Sequence, residues 1–132
     1  MYHRFDHFNI CGGTIFSETA IVTAAHCCEA VNDNWSWNSI QVVAGELDLN
    51  KYDTTEQRRA IFDHIVHPLY NPRTFHNDVC ILILEKPLEL NSGWYGWYAR
   101  GLPLATEDPP VGSECTISGW GAEYVIGNTF CT

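Results

Sequence analysis

The chain has 132 residues, enough for one domain and short for two. Hydrophobic residues make up 45% and charged residues 17%, a balance that supports a packed core and excludes a disordered chain. Sixteen acidic side chains against seven basic ones give a net charge of −9. That argues against nucleic acid or an anionic membrane as partners, since both select clustered Lys and Arg.

Ile, Val, Trp, Tyr and Phe are frequent in the apolar set and favour strands. The opening Met-Tyr-His-Arg-Phe-Asp-His has no apolar run of the kind a secretion leader needs. Residues 9–16 and 20–23 read as two strands joined by the turn Ser17-Glu18-Thr19. Residues 31–39 are polar and carry Trp35 and Trp37, and are expected to form a surface loop. Residues 40–44 and 60–67 read as further strands, bracketing an acidic loop. Residues 79–84 are an unbroken apolar run, as in a strand buried on both faces. The stretch 90–100 sets Trp94, Tyr95, Trp97 and Tyr98 among glycines, an aromatic group expected to pack against the Pro-rich linker 102–110. Residues 115–120 read as one more strand, followed by a tail. No stretch approaches the roughly 20 apolar residues of a membrane span. The expected fold class is all-β: an antiparallel barrel of about six strands, a linker, and the opening of a second unit.

Six cysteines in so short a chain point to disulfides and an oxidising compartment. No C-x2-C pair is present, and the adjacent Cys27 and Cys28 make poor chelate geometry, so disulfides are favoured over a metal thiolate site. A cysteine-rich chain without a secretion leader leads to the expectation that the sequence is incomplete at its start.

Four blocks then occur in order. They are Cys11-Gly12-Gly13-Thr14-Ile15 with Thr23-Ala24-Ala25-His26-Cys27; His67-Pro68 with Tyr70; Asn77-Asp78-Val79-Cys80-Ile81-Leu82; and Pro110-Val111-Gly112 running on to Cys115 and Ser118-Gly119-Trp120-Gly121. In order and spacing they resemble the N-terminal part of the trypsin-like serine endopeptidases. The resemblance implies the first Greek-key barrel of a two-barrel fold over residues 1–101, an inter-barrel linker over 102–114, and the start of the second barrel over 115–132. It implies polypeptide substrates, secretion, and no cofactor for catalysis. His26 would be the general base and Asp78 the carboxylate that orients it. A serine hydroxyl is a weak nucleophile until a base accepts its proton, and a carboxylate on the other ring nitrogen fixes the tautomer and stabilises the imidazolium. The remaining histidines, His3, His7, His64, His67 and His76, read as surface or strand-end residues.

The family's nucleophile lies in a G-D-S-G-G-P run, and no such run occurs in the 132 residues. The chain on its own is therefore expected not to hydrolyse peptides, lacking nucleophile and oxyanion hole. A non-catalytic homologue acting as a binding module is the alternative, against which the paired His26 and Asp78 argue. A small disulfide-rich structural domain is disfavoured by the apolar run 79–84.

The resemblance extends to a calcium loop over residues 45–57. Glu46 and Glu56 match carboxylate ligands, Asp48 and Lys51 would offer backbone oxygens, and Asp53 stands where the family often has a Glu acting through water. Oxygen ligands on a short loop suit Ca²⁺, and the alternative is a solvated acidic turn. Asn34-Trp35-Ser36 fits an N-glycosylation sequon.

Cys11 and Cys27 match the family's bridge around His26. Cys28 and Cys80 are additional to the commonest family pattern, each two residues after a member of the His26–Asp78 pair. Residues i and i+2 of a strand share a face, so a pair that meets would bring these two sulfurs together. Such a bridge needs Cα atoms within about 7 Å. A small buried apolar role for Cys80 is the alternative. Cys115 would pair with a residue outside this chain, and is expected to be free or mispaired with Cys131. The unpartnered segment 115–120 is expected to cause self-association.

Overall fold

The computed structural model describes residues 1–3, 8–51, 53–91, 93, 97–116 and 118–121. In chain order the elements are β1 (Tyr2–His3), β2 (Phe8–Asn9), β3 (Thr14–Ile15), β4 (Ala20–Thr23), α1 (Ala25–Asn34), a 3-10 turn (Trp37–Ser39), β5 (Ile40–Ala44), β6 (Gln57–Val66) and β7 (Cys80–Leu84). The described strands form one antiparallel sheet of seven, in the order β2-β1-β5-β6-β7-β4-β3. Among the described residues the fold is mostly β, a curled half-barrel sheet with one short helix, α1.

The curl originates in β6. Its first half, Gln57 to Ala60, pairs with Ala44 to Gln41 of β5, and its second half pairs with β7. Between the two the register shifts: Ile61 faces Leu84 and Asp63 faces Ile83, leaving Phe62 unpaired. A bulge of this kind bends its strand and increases the local twist. One ten-residue strand therefore serves both halves of the sheet at different angles.

Alternation decides what goes inside. Ile40, Val42 and Ala44 of β5, Ile21 of β4, and Cys80, Leu82 and Leu84 of β7 are buried in one cluster, joined by Ala25, Cys28 and Val31 of α1. Leu82 and Ile40 are almost fully enclosed, and burying each such side chain contributes about 1.5–3 kcal/mol. Buried Gln57 straps the segment after β7 to the sheet: its Nε2 donates to the Glu89 carbonyl at 2.9 Å, and its Oε1 accepts from the Glu89 N–H at 2.8 Å. A cleft of about 760 Å³ lies between the two halves of the sheet and residues 118–121, lined by Ile10, Gly13, Ile21, Val42, Leu82 and Trp120 among others. Neither His26 nor Asp78 lines it.

Several expectations need correction. The strand expected over 9–16 is two short pieces, because Cys11 between them is drawn into a disulfide and Gly13 packs tightly: a Cβ there would come within 2.8 Å of Ile21 Cγ2. The loop expected over 31–39 is occupied by the end of α1 and the 3-10 turn. Ala25, Cys28 and Val31, three residues apart, give the helix its buried face. The strand expected over 60–67 begins earlier, at Gln57, where β5 offers partners. The run 79–84 is not buried on both faces. Cys80, Leu82 and Leu84 point inward, while Ile81 is exposed beside its exposed partner Ile65. The described residues of 115–120 form no strand, and residues 102–116 are exposed. Of the expected aromatic group, Trp97 and Tyr98 are exposed. Trp94, Tyr95, His7, Cys131 and the tail 122–132 lie outside the described residues.

Candidate active site

β4 delivers the chain to Ala24, whose extended backbone (ψ 148°) is the N-cap of α1, and His26 is the second helical residue. Ala24 has no side-chain oxygen to satisfy the first N–H groups of the helix, and the first turn carries no acidic residue. Asp78 fills that place from across the sheet. Register sets it there, since Thr23 at the end of β4 pairs with Cys80 at the start of β7. Asp78 Oδ1 accepts the His26 backbone N–H at 2.8 Å, and the Ala25 N–H also reaches the carboxylate.

The same carboxylate meets the ring. Asp78 Oδ2 lies 2.7 Å from His26 Nδ1. Burial pushes the Asp78 carboxyl up, but the hydrogen bonds from the His26 ring, from its backbone N–H and from Ala25 outweigh it and hold the group below the ordinary carboxylate range. An ionised Asp78 is an acceptor only, so Nδ1 carries the proton and Nε2 keeps a lone pair. Nε2 sits 3.4 Å from the Cys27 sulfur, which is bonded in a disulfide and has no proton to give. The His26 side chain is 50% exposed, so that lone pair is open to a partner.

The loop leading to Asp78 is tied down. His67 N–H donates to the Val79 carbonyl at 2.9 Å, Asn71 bridges His76, and the Asn77 amide donates to the Leu69 carbonyl at 3.0 Å. Phe75 (φ 55°) and Asn77 (φ 57°) are left-handed. Asn tolerates that conformation, whereas for Phe it costs about 1–2 kcal/mol. The strained Phe75 sets its ring edge-on to His26, with centroids 6.0 Å apart. Tyr70 lies close by. Burial first, then the charges of Asp78 and Glu29, push its hydroxyl pKa up.

Two disulfides frame the pair. Cys11–Cys27 has its Cα atoms 6.3 Å apart, and Cys28–Cys80 6.7 Å apart. The second joins the residue two places after His26 to the residue two places after Asp78. Cys28 and Cys80 are fully buried, so the small-apolar alternative for Cys80 is replaced by a bond. Cys115 is exposed and free.

The trypsin family model, described as "Trypsin", matches residues 2–130. The chain belongs to the trypsin family. It is 37% identical over 126 residues to a trypsin of Phaedon cochleariae, an alignment spanning 95% of this chain and 45% of that protein. It is 34% identical over 123 residues to Trypsin I-P1 of Gallus gallus, spanning 93% and 44% respectively. With Trypsin-3 of Salmo salar it shares 35% identity over 114 residues, spanning 86% and 42%. The chain thus spans less than half the length of these trypsin-family relatives.

The loop between β5 and β6 brings Glu46, Asp53 and Glu56 together, with carboxylate oxygens within 4.8 Å of one another. Gly45 at its base is left-handed (φ 76°), and a Cβ there would run into the Thr55 carbonyl. Glu46 Oε1 and Asp53 Oδ2 are buried without a hydrogen-bond partner. Burial, then the charge of Glu56, push the Glu46 carboxyl up. Orphaned, desolvated carboxylate oxygens at this spacing fit a hard divalent cation. The Asp48 and Lys51 side chains pair with each other at 2.9 Å at the surface, while the Asp48 backbone hydrogen-bonds the Glu46 carboxylate. Arg58, two residues beyond Glu56, donates into the cluster. Sequence reading passed over it, although on a strand the i, i+2 relation puts it on the Glu56 side. His64, expected as a surface or strand-end residue, lies near the end of β6, half-buried, and stacks on Trp37 at 4.1 Å. Asn34 is exposed at the end of α1, with its amide donating to the Ala30 carbonyl at 2.8 Å.

Proposed function

We propose that this chain carries the general base and orienting carboxylate of a secreted serine endopeptidase acting on polypeptides. The single observation that supports it is the double contact of Asp78 with His26: one oxygen fixes the ring and the other fixes the backbone that bears it. With Nδ1–H held by the carboxylate, Nε2 accepts the proton of a serine hydroxyl as it attacks a peptide carbonyl. Nε2 then returns that proton to the leaving amine, while Asp78 stabilises the imidazolium between the two steps. The 132 residues contain no G-D-S-G-G-P run, so we assign this polypeptide alone no turnover. Secretion rests on the two disulfides and the family. In this reading residues 1–101 are the first Greek-key barrel, its six expected strands appearing as seven described ones, residues 102–114 the linker, and residues 115–132 the start of the second barrel.

Calcium belongs to the same proposal. Glu46, Asp53 and Glu56 cluster their carboxylates; Glu46 and Glu56 would hold the ion directly, Asp53 through a water, and Asp48 and Lys51 through backbone carbonyls. Its role is to neutralise the loop, with no part in bond cleavage. The test of function is hydrolysis of peptide p-nitroanilides by the product of the complete transcript, with the 132-residue polypeptide as control. Turnover abolished by His26→Ala in the former, and none in the latter, is expected. A complete product that binds peptides without cleaving them would overturn the endopeptidase reading.

A further inference from the structure

The carboxylate cluster between β5 and β6 already holds a cation of its own. The Glu56 side chain is fully enclosed. Its Oε1 accepts the Asp53 backbone N–H at 2.8 Å, and its Oε2 accepts Arg58 Nε at 2.8 Å and Nη2 at 2.5 Å. The same Nη2 stands 3.9 Å from Glu46 Oε2, and the guanidinium lies over the Tyr2 ring, 5.1 Å from its centroid. The guanidinium thus sits between β1 and the loop.

Charge balance shows what Arg58 leaves undone. Glu46, Asp53 and Glu56 carry three negative charges when ionised, and Arg58 supplies one positive. Among the described residues, the buried side-chain oxygens without a partner are Glu46 Oε1 and Asp53 Oδ2 of this same cluster. The Glu46 side chain is only 7% exposed, so water does little to relieve it. A single divalent ion would complete neutrality.

We propose that Arg58 is the resident countercharge of this cation site, holding the loop together when no metal is bound and weakening the site's affinity for Ca²⁺. The inference rests on the calcium reading above. Arg58 covers Glu56 Oε2 and repels any ion seated on the neighbouring oxygens. A unit and a divalent positive charge a few ångströms apart oppose each other, even at water's dielectric constant, by an amount worth at least about tenfold in affinity. Arg58 therefore acts with opposite signs in the two states, stabilising the empty loop and disfavouring the filled one. A purely structural salt bridge would not: its loss would loosen the loop and weaken metal binding together.

The experiment is calorimetric titration with CaCl₂, paired with thermal melting in EDTA and in Ca²⁺, on the 132-residue chain and its Arg58→Gln and Arg58→Lys variants. Arg58→Gln is expected to bind Ca²⁺ about tenfold more tightly than the parent. It is also expected to melt lower in EDTA and to gain more on adding Ca²⁺. Arg58→Lys keeps the charge and should bind like the parent. If Arg58→Gln is unfolded in EDTA, Ca²⁺ should fold it, and failure to do so counts against the proposal. Equal or weaker Ca²⁺ binding by Arg58→Gln overturns the inference and leaves the calcium reading intact. No binding by any of the three overturns both.

Discussion

Asp78 holds His26 at two points, taking the ring Nδ1 on one oxygen at 2.7 Å and the backbone N–H on the other at 2.8 Å. One carboxylate thereby sets both where α1 begins and which way its histidine faces. The helix has no cap of its own at Ala24, so Asp78 serves as one from 52 residues away.

Replacing Asp78 by Ala should therefore destabilise the chain as well as free the imidazole. Loss of a helix cap costs about 1–2 kcal/mol, and urea unfolding should show a deficit of that size. Asp78→Asn keeps an acceptor and should lose less. In the parent, nuclear magnetic resonance should show a downfield His26 Nδ1 proton that is absent from both variants.

Two of the shifted carboxyls, Asp78 and Glu46, predict opposite pH dependences. The pKa of Asp78 is held below its ordinary value, so its contribution is present above pH ~4 and fades as pH falls through the lowered value. The pKa of Glu46 is raised, so its contribution is present below the ordinary carboxylate pKa and fades as pH rises through the raised value. Urea midpoints measured from acid to neutral pH should rise less steeply in Asp78→Asn than in the parent. In Glu46→Gln they should rise more steeply, because a term of the opposite sign has been removed.

Opening the Cys28–Cys80 bridge releases a constraint spanning 52 residues, worth about 4 kcal/mol in the loop-entropy model. The Cys11–Cys27 bridge spans 16 residues and is worth about 3 kcal/mol. The Cys28→Ala/Cys80→Ala double variant should lose more stability to urea than Cys11→Ala/Cys27→Ala. An inverted order would show that strain or residual denatured structure outweighs loop length.

The outer face of β6 and β7 sets exposed Ile65 directly beside exposed Ile81, with Phe62 at the bulge 76% exposed. Apolar groups gathered on an open sheet face promote association. Sedimentation should show concentration-dependent oligomers that Ile65→Lys/Ile81→Lys reduces. If the double variant associates as strongly as the parent, the exposed segment around Trp120 becomes the better candidate surface.

Much of this was legible in the residues, for identifiable reasons. β4, β5 and β7 are short apolar runs bounded by turn residues, and β4 and β5 keep the boundaries read for them. The His26–Asp78 pair came from motifs, and the Cys28–Cys80 bridge from the two-residue offset each Cys keeps from that pair. α1 escaped notice because its buried residues are only Ala25, Cys27, Cys28 and Val31, and it ends in Asn32, Asp33 and Asn34, which read as loop. Arg58 was invisible because its partners lie on a loop that periodicity does not describe. The inward alternation of β7 was hidden by apolar residues on both of its faces.

Register gives the histidine a place in time. His26 and Asp78 are 52 residues apart, and their contact needs β4 already zipped to β7 from Ala20↔Ile83 to Thr23↔Cys80. Contacts of such separation form only after the entropy of closing a long loop has been overcome, behind hairpins and local turns. α1, uncapped until Asp78 arrives, should remain frayed at its first turn through the early stages of collapse. His26 thus acquires its orientation only as the sheet nears completion, so a partly folded chain presents an imidazole with no fixed tautomer.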